Sequence, residues 1–139
     1  RIAEAGAVLV CGGRDGVMAA AADAAVAAGG EVIGILMSSD PDDANSHCTH
    51  VVATGIGQAR NLAVAASGDA SIAIGGEWGT LSEIAFARRL DRTVVLLDSW
   101  RLIGRGAMAE TPGVERADSP DEAVRLALAA ATRRRTPGA

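Results

Sequence analysis

No lysine occurs among these 139 residues, and all 13 basic side chains are arginine. A Schiff base to pyridoxal phosphate needs a lysine amine, and a Walker-type phosphate loop needs a lysine at the phosphates, so both chemistries are excluded. Tyrosine is absent too, which leaves proton transfer to Asp, Glu, Cys and the histidines His47 and His50. Cysteine is sparse. Cys11 closes the apolar run from Ala7, and Cys48 lies far along the chain in a polar loop, so no disulfide scaffold is expected and a reducing, cytoplasmic setting fits. There is no signal-peptide pattern and no apolar run near the ~18 residues a membrane span needs, so a membrane is not an expected partner.

What is present describes one soluble globular domain: 49% of residues are hydrophobic and 22% charged. A net charge of −4 and a pI near 5.1 argue against nucleic acid, because a polyanion is not attracted by this balance. The expected partner is a small molecule.

Apolar runs and helical stretches alternate regularly. Strands are expected at Ala7 to Cys11, Glu31 to Met37, Thr49 to Ala53, Asp69 to Ile74, Thr93 to Leu97 and Val114 to Ala117. Helices are expected at Val17 to Ala28 (stopped by Gly29-Gly30), Gln58 to Ala66, Gly79 to Leu90, and from a Ser119/Glu122 capping box to about Ala131. Apolar runs joined by helices mark an α/β fold: a Rossmann-like, doubly wound parallel sheet. The domain is expected over residues 1–131, with an irregular connection at 98–113 and a flexible tail at 132–139. Because the chain opens on Arg1 inside what reads as a helix end, a first central strand is expected to be missing from it.

The most informative stretch is Ala73-Ile74-Gly75-Gly76-Glu77-Trp78-Gly79-Thr80-Leu81-Ser82-Glu83. A strand of small residues runs into glycines and opens a helix whose N–H groups and positive dipole end would face a phosphate. Gly12-Gly13-Arg14-Asp15-Gly16 and Gly55-Ile56-Gly57 repeat that logic. For the first of these, a simple turn with Asp15 capping the helix is the plainer alternative.

Arg60 falls in the first turn of the helix after Gly57, where the dipole disfavours a cation by about 0.3–1 kcal/mol. A nearby anion would relieve that cost, which makes Arg60 a candidate phosphate or carboxylate clamp. The competing reading is an arginine snorkelling into solvent. Glu83 either closes a capping box with Thr80 or works on the anchored ligand, stabilising an oxocarbenium ion or activating water. His47-Cys48-Thr49-His50, with Asp40, Asp42 and Asp43 upstream, matches no standard metal spacing, and no metal is expected. Arg133-Arg134-Arg135 reads as a solvated tail.

Gly75-Gly76-Glu77-Trp78-Gly79-Thr80-Leu81-Ser82-Glu83, together with Arg60, resembles the signature of the Lonely Guy (LOG) superfamily of Rossmann-like proteins, often mislabelled lysine decarboxylases. Within it, Cys11 to Met18, Asp43-Ala44-Asn45 and Thr54 to Asn61 are most similar to the branch containing molybdenum-cofactor carrier proteins. Enzymatic members usually carry proline before the double glycine, where this chain has Ile74.

The resemblance implies a homodimer or higher homo-oligomer that folds without a cofactor. Its ligand would be phosphorylated and nucleotide- or pterin-like, a nucleotide or the molybdenum cofactor, held through Gly12, Gly13, Gly55, Gly57, Arg60, Gly75, Gly76, Gly79 and Thr80. The alternative it implies is a nucleoside 5′-monophosphate phosphoribohydrolase in which Arg60 and Glu83 are catalytic and free base and ribose 5-phosphate are released. A domain whose cleft has lost its ligand is the third reading.

Overall fold

The computed structural model describes residues 1–102 and 111–136. Its strands are β1 (Leu9–Cys11), β2 (Val32–Leu36), β3 (His50–Ala53), β4 (Ala70–Gly75), β5 (Thr93–Ser99) and β6 (Val114–Ala117). Between and after them run α1 (Val17–Ala27), α2 (Arg60–Ser67), α3 (Trp78–Arg89) and α4 (Pro120–Arg135). The strands form two three-stranded parallel sheets, ordered β1-β2-β3 and β4-β5-β6. This is the α/β, Rossmann-like architecture that the alternating pattern predicts. The chain divides into two compact units, Arg1–Ser67 and Gly68–Ala139.

In the first unit, alanines let α1 approach its sheet closely. Ala22 and Ala25 are buried with Cys11 and Val32, and Ala3, Leu9, Met18 and Cys48 pack around them. α1 stops where the glycine pair predicts, because Gly29 takes φ +75° and the Gly29 and Gly30 N–H groups donate to the carbonyls of Val26 and Ala25 at 2.8 and 2.9 Å. That is a Schellman ending, which satisfies carbonyls the helix would otherwise orphan.

The second unit is built on β5, where Val94, Val95 and Leu96 are buried between β4 and β6. Ala117, Ala123, Ile72, Leu97, Leu126 and Ala127 gather around Val95. The expected Ser119 cap forms, with Ser119 Oγ accepting the Glu122 N–H at 3.2 Å, while Glu122 reaches one residue past the N-cap, its Oε2 accepting the Asp118 N–H at 3.0 Å. α3 ends in a second Schellman pattern, with the Asp91 and Arg92 N–H groups donating to Arg88 and Ala87. Here Asp91 takes the left-handed position at φ 53°, which glycine usually fills.

One expectation is corrected. Residues 132–135 are helix, not tail: α4 continues to Arg135 because Arg134 and Arg135 both reach Asp69, at 3.5 and 2.6 Å, and Arg133 reaches Glu115 at 3.7 Å. The arginines also complement the negative end of the helix dipole. Of the irregular connection expected at 98–113, residues 103–110 lie outside the described residues, as do residues 137–139 of the tail.

Candidate functional site

In the first unit, β1 delivers Cys11, Gly12 and Gly13 to its carboxyl end, all buried. A side chain at Gly12 would meet the Arg60 guanidinium, with Nη1 only 1.8 Å from where a Cβ would stand, so the arginine lies directly on the glycine backbone. Arg60 opens α2 and is 6% exposed. Snorkelling into solvent is therefore not what this side chain does. It is held inside, at the helix end whose dipole opposes a cation.

Gly13 sits at φ +68°, and a Cβ there would lie 2.7 Å from Leu36 Cδ2 and 3.2 Å from Gly34 Cα, so both its conformation and its neighbours demand glycine. The loop is held from outside by Asn45, whose N–H donates to the Gly13 carbonyl at 2.8 Å and whose Nδ2 donates to the Arg14 carbonyl at 3.0 Å. Asn45 belongs to a stretch that carries the family resemblance, but only the structure gives its role. α1 then starts at Val17 with Gly16 as N-cap and no side-chain cap bond, so Asp15 does not cap it.

Gly55 and Gly57 are placed differently from a phosphate cradle. Their N–H groups donate to the carbonyls of Ser38 and Met37, each at 2.9 Å, and Thr54 Oγ1 donates to the Leu36 carbonyl at 2.5 Å. Both glycines have positive φ, 65° and 60°. They tie the β3–α2 turn to the end of β2 and so set where Arg60 begins its helix.

Cys48 is not remote from Cys11, as its loop position suggested. It packs against the cluster that contains Cys11, and burial first, then the neighbouring Cys11 thiol, push its pKa above that of an ordinary cysteine. His47 Nδ1 lies 3.4 Å from Asp23, His50 Nδ1 is 3.0 Å from Thr49 Oγ1, and Asp40 caps the short turn at Pro41–Asp43. Among the described residues no three His, Cys, Asp or Glu side chains gather as metal ligands.

In the second unit β4 ends on Gly75 (φ 59°) and Gly76 (φ 138°), and α3 starts at once from Glu77 as N-cap, with no side-chain cap bond. A Cβ at Gly76 would lie 2.8 Å from Trp100 Nε1 and 3.2 Å from Thr80 Cβ. The helix begins earlier than the sequence suggests, so Gly79 and Thr80 are its second and third residues. Thr80 is not an N-cap, and Glu83, half-buried in the second turn, does not close a capping box with it. The turn presents the first N–H groups of a twelve-residue helix beside two glycines, the arrangement that suits an anion.

A family model described as the SLOG cluster4 family matches residues 1–124. The chain belongs to that family. An uncharacterised protein of Archaeoglobus fulgidus is 41% identical over 111 residues, covering 80% of this chain and 73% of that protein. Among solved structures, the molybdenum cofactor binding protein of the phototrophic bacterium Rippkaea orientalis is similar to this SLOG protein with a TM-score of 0.79 and 35% identity. It covers 92% of this chain and 80% of its own. The molybdenum cofactor carrier protein of Chlamydomonas reinhardtii matches with a TM-score of 0.77 and 28% identity, over 94% of this chain and 82% of its own. The superfamily branch indicated by the glycine motifs is thus the one these comparisons find.

Proposed function

We propose that this SLOG cluster4 protein binds a phosphorylated, pterin- or nucleotide-like small molecule as a carrier, without turning it over. The observation that carries the reading is Arg60: a buried guanidinium laid on the bare backbone of Gly12, at a helix N-terminus that repels it. A guanidinium held in that place gives the glycine loop a charged, forked donor of the kind that recognises phosphate. The likeness to proteins described as binding or carrying molybdenum cofactor supports the same class of ligand.

On this reading Arg60 engages the phosphate by charge and bidentate hydrogen bonding. Gly12 and Gly13 leave room for it, and Gly55 and Gly57 shape the turn that holds it. In the second unit Gly75, Gly76, Gly79 and Thr80 supply backbone donors at the start of α3. The cargo is molybdenum cofactor or a nucleotide, and the protein is a cytoplasmic homodimer, which size-exclusion chromatography with light scattering checks.

The deciding experiment measures ribose 5-phosphate release from nucleoside 5′-monophosphates together with ligand-induced thermal stabilisation, on the wild type, Arg60→Ala and Glu83→Ala. Stabilisation that Arg60→Ala removes, with no sugar phosphate released, supports the carrier. Release that both substitutions abolish would establish a phosphoribohydrolase and overturn it.

A further inference from the structure

Four departures from ordinary protein structure meet at the carboxyl end of β4 and β5 in the second unit. First, β5 carries a bulge: Ile74 pairs with Leu97 but Gly75 pairs with Ser99, leaving Asp98 as the extra residue, at a left-handed φ of 46°. Second, Ser99 Oγ is buried with no hydrogen-bond partner among the described residues. Third, the same holds for Trp100 Nε1. Fourth, Trp78 is 77% exposed at the first position of α3.

Each departure is unfavourable taken alone. Left-handed backbone at a non-glycine residue is strained, an unpaired buried donor forfeits its hydration, and an indole in water forgoes burial that tryptophan almost always finds. Such departures concentrate at functional sites, and bulges serve to re-aim side chains. The bulge at Asp98 precedes Trp100 by two residues, and Trp100 meets Trp78 with ring centroids 5.4 Å apart and planes tilted by 41°. These are the chain's two tryptophans, in a sequence with one phenylalanine and no tyrosine.

We propose that Trp78 is the stacking platform for the flat heterocycle of the ligand, and that Trp100, set by the β5 bulge, props its indole in place. The inference rests on the phosphorylated-ligand reading and adds what the glycine loops do not supply, recognition of the ring. Backbone N–H groups hold a phosphate regardless of what is attached to it. An aromatic face selects ligands that carry a planar π-system, and it tolerates guanine and pterin alike because both contain the same 2-amino-4-oxopyrimidine ring. Trp78 stands between Gly76 and Gly79, so a ligand anchored on this turn has the indole beside it. Gly76 leaves the space that Trp100 needs, since a Cβ there would press on its Nε1 and Cδ1.

The test measures dissociation constants by calorimetry for GMP, which has ring and phosphate, and ribose 5-phosphate, which has no ring. Wild type, Trp78→Leu and Trp78→Phe are compared, with thermal midpoints as a check on folding and size-exclusion chromatography on assembly. Trp78→Leu is expected to weaken GMP about 5- to 100-fold, Trp78→Phe to retain most of the affinity, and neither to change ribose 5-phosphate binding.

An unchanged GMP affinity in Trp78→Leu overturns the platform, as does an equal loss for both ligands, which would mean a damaged loop. A shift of Trp78→Leu from dimer to monomer with ligand affinities intact assigns the exposed indole to subunit contact and also overturns it. If wild type binds neither compound, the phosphate reading has failed and the platform falls with it.

Discussion

Single residues decide the first glycine loop. Gly12 has an ordinary backbone conformation, so its requirement comes from Arg60 pressing on its α-carbon rather than from φ. Gly12→Ala is therefore expected to displace the guanidinium while costing about 1–3 kcal/mol of stability, and to abolish GMP-induced stabilisation as Arg60→Ala does. Thermal melts with and without GMP check this. Cys48 makes a second prediction at this scale. Its raised pKa means that alkylation by iodoacetamide accelerates only at a pH above that of a free cysteine thiol. The same shift has a stability consequence: the folded chain holds the proton after the unfolded chain has lost it. Stability is whole below the ordinary thiol pKa and falls as pH rises from there through the folded value, which urea titrations at neutral and alkaline pH will show. The glycines themselves were legible in the sequence, as was Arg60. The contact of Arg60 with Gly12 and the meeting of Cys48 with Cys11 were not, since each joins segments more than thirty positions apart.

Elements follow local chemistry closely in this protein, and departures have identifiable causes. The Ser119/Glu122 pair predicted the start of α4 because capping is a local hydrogen-bond pattern, here complete between Asp118 and Glu122. Ser119→Ala should cost about 0.5–2 kcal/mol, read as a lower urea midpoint with an unchanged slope. The far end of α4 was misjudged, since Asp69 is 66 positions from Arg135 and only the fold brings them to 2.6 Å. A similar limit applied to α3. Thr80-Leu81-Ser82-Glu83 reads as a capping box, yet Gly75 and Gly76 turn the chain so sharply that the helix starts at Trp78 and absorbs Thr80. β5 supplies the most sensitive position in its unit: Leu96 is 2% exposed on a central strand, and Leu96→Ala is expected to cost about 2–5 kcal/mol. That exceeds the effect of removing any surface ion pair on α4.

Taken as a whole, the molecule is an acidic α/β protein with a glycine-rich strand end in each of its units and a buried arginine in the first. A ligand that binds only the folded chain stabilises it by mass action, so GMP at 100 times its dissociation constant should add about 2.7 kcal/mol to unfolding, lost in Arg60→Ala. No helix among the described residues is long and apolar enough to cross a membrane. By itself, the sequence determined the alternation of parallel strands and helices, the glycine turns at their ends, the absence of lysine chemistry and the superfamily. All of these are written in local periodicity, residue type or short motifs. Tertiary structure alone decided that Arg60 is buried on Gly12, that the Gly55 and Gly57 N–H groups are spent on the carbonyls of Ser38 and Met37, that Cys11 and Cys48 meet, and that the two tryptophans share one corner. Those facts depend on which segments, distant in sequence, the fold sets side by side, and a pattern read over a few neighbouring residues does not carry that information.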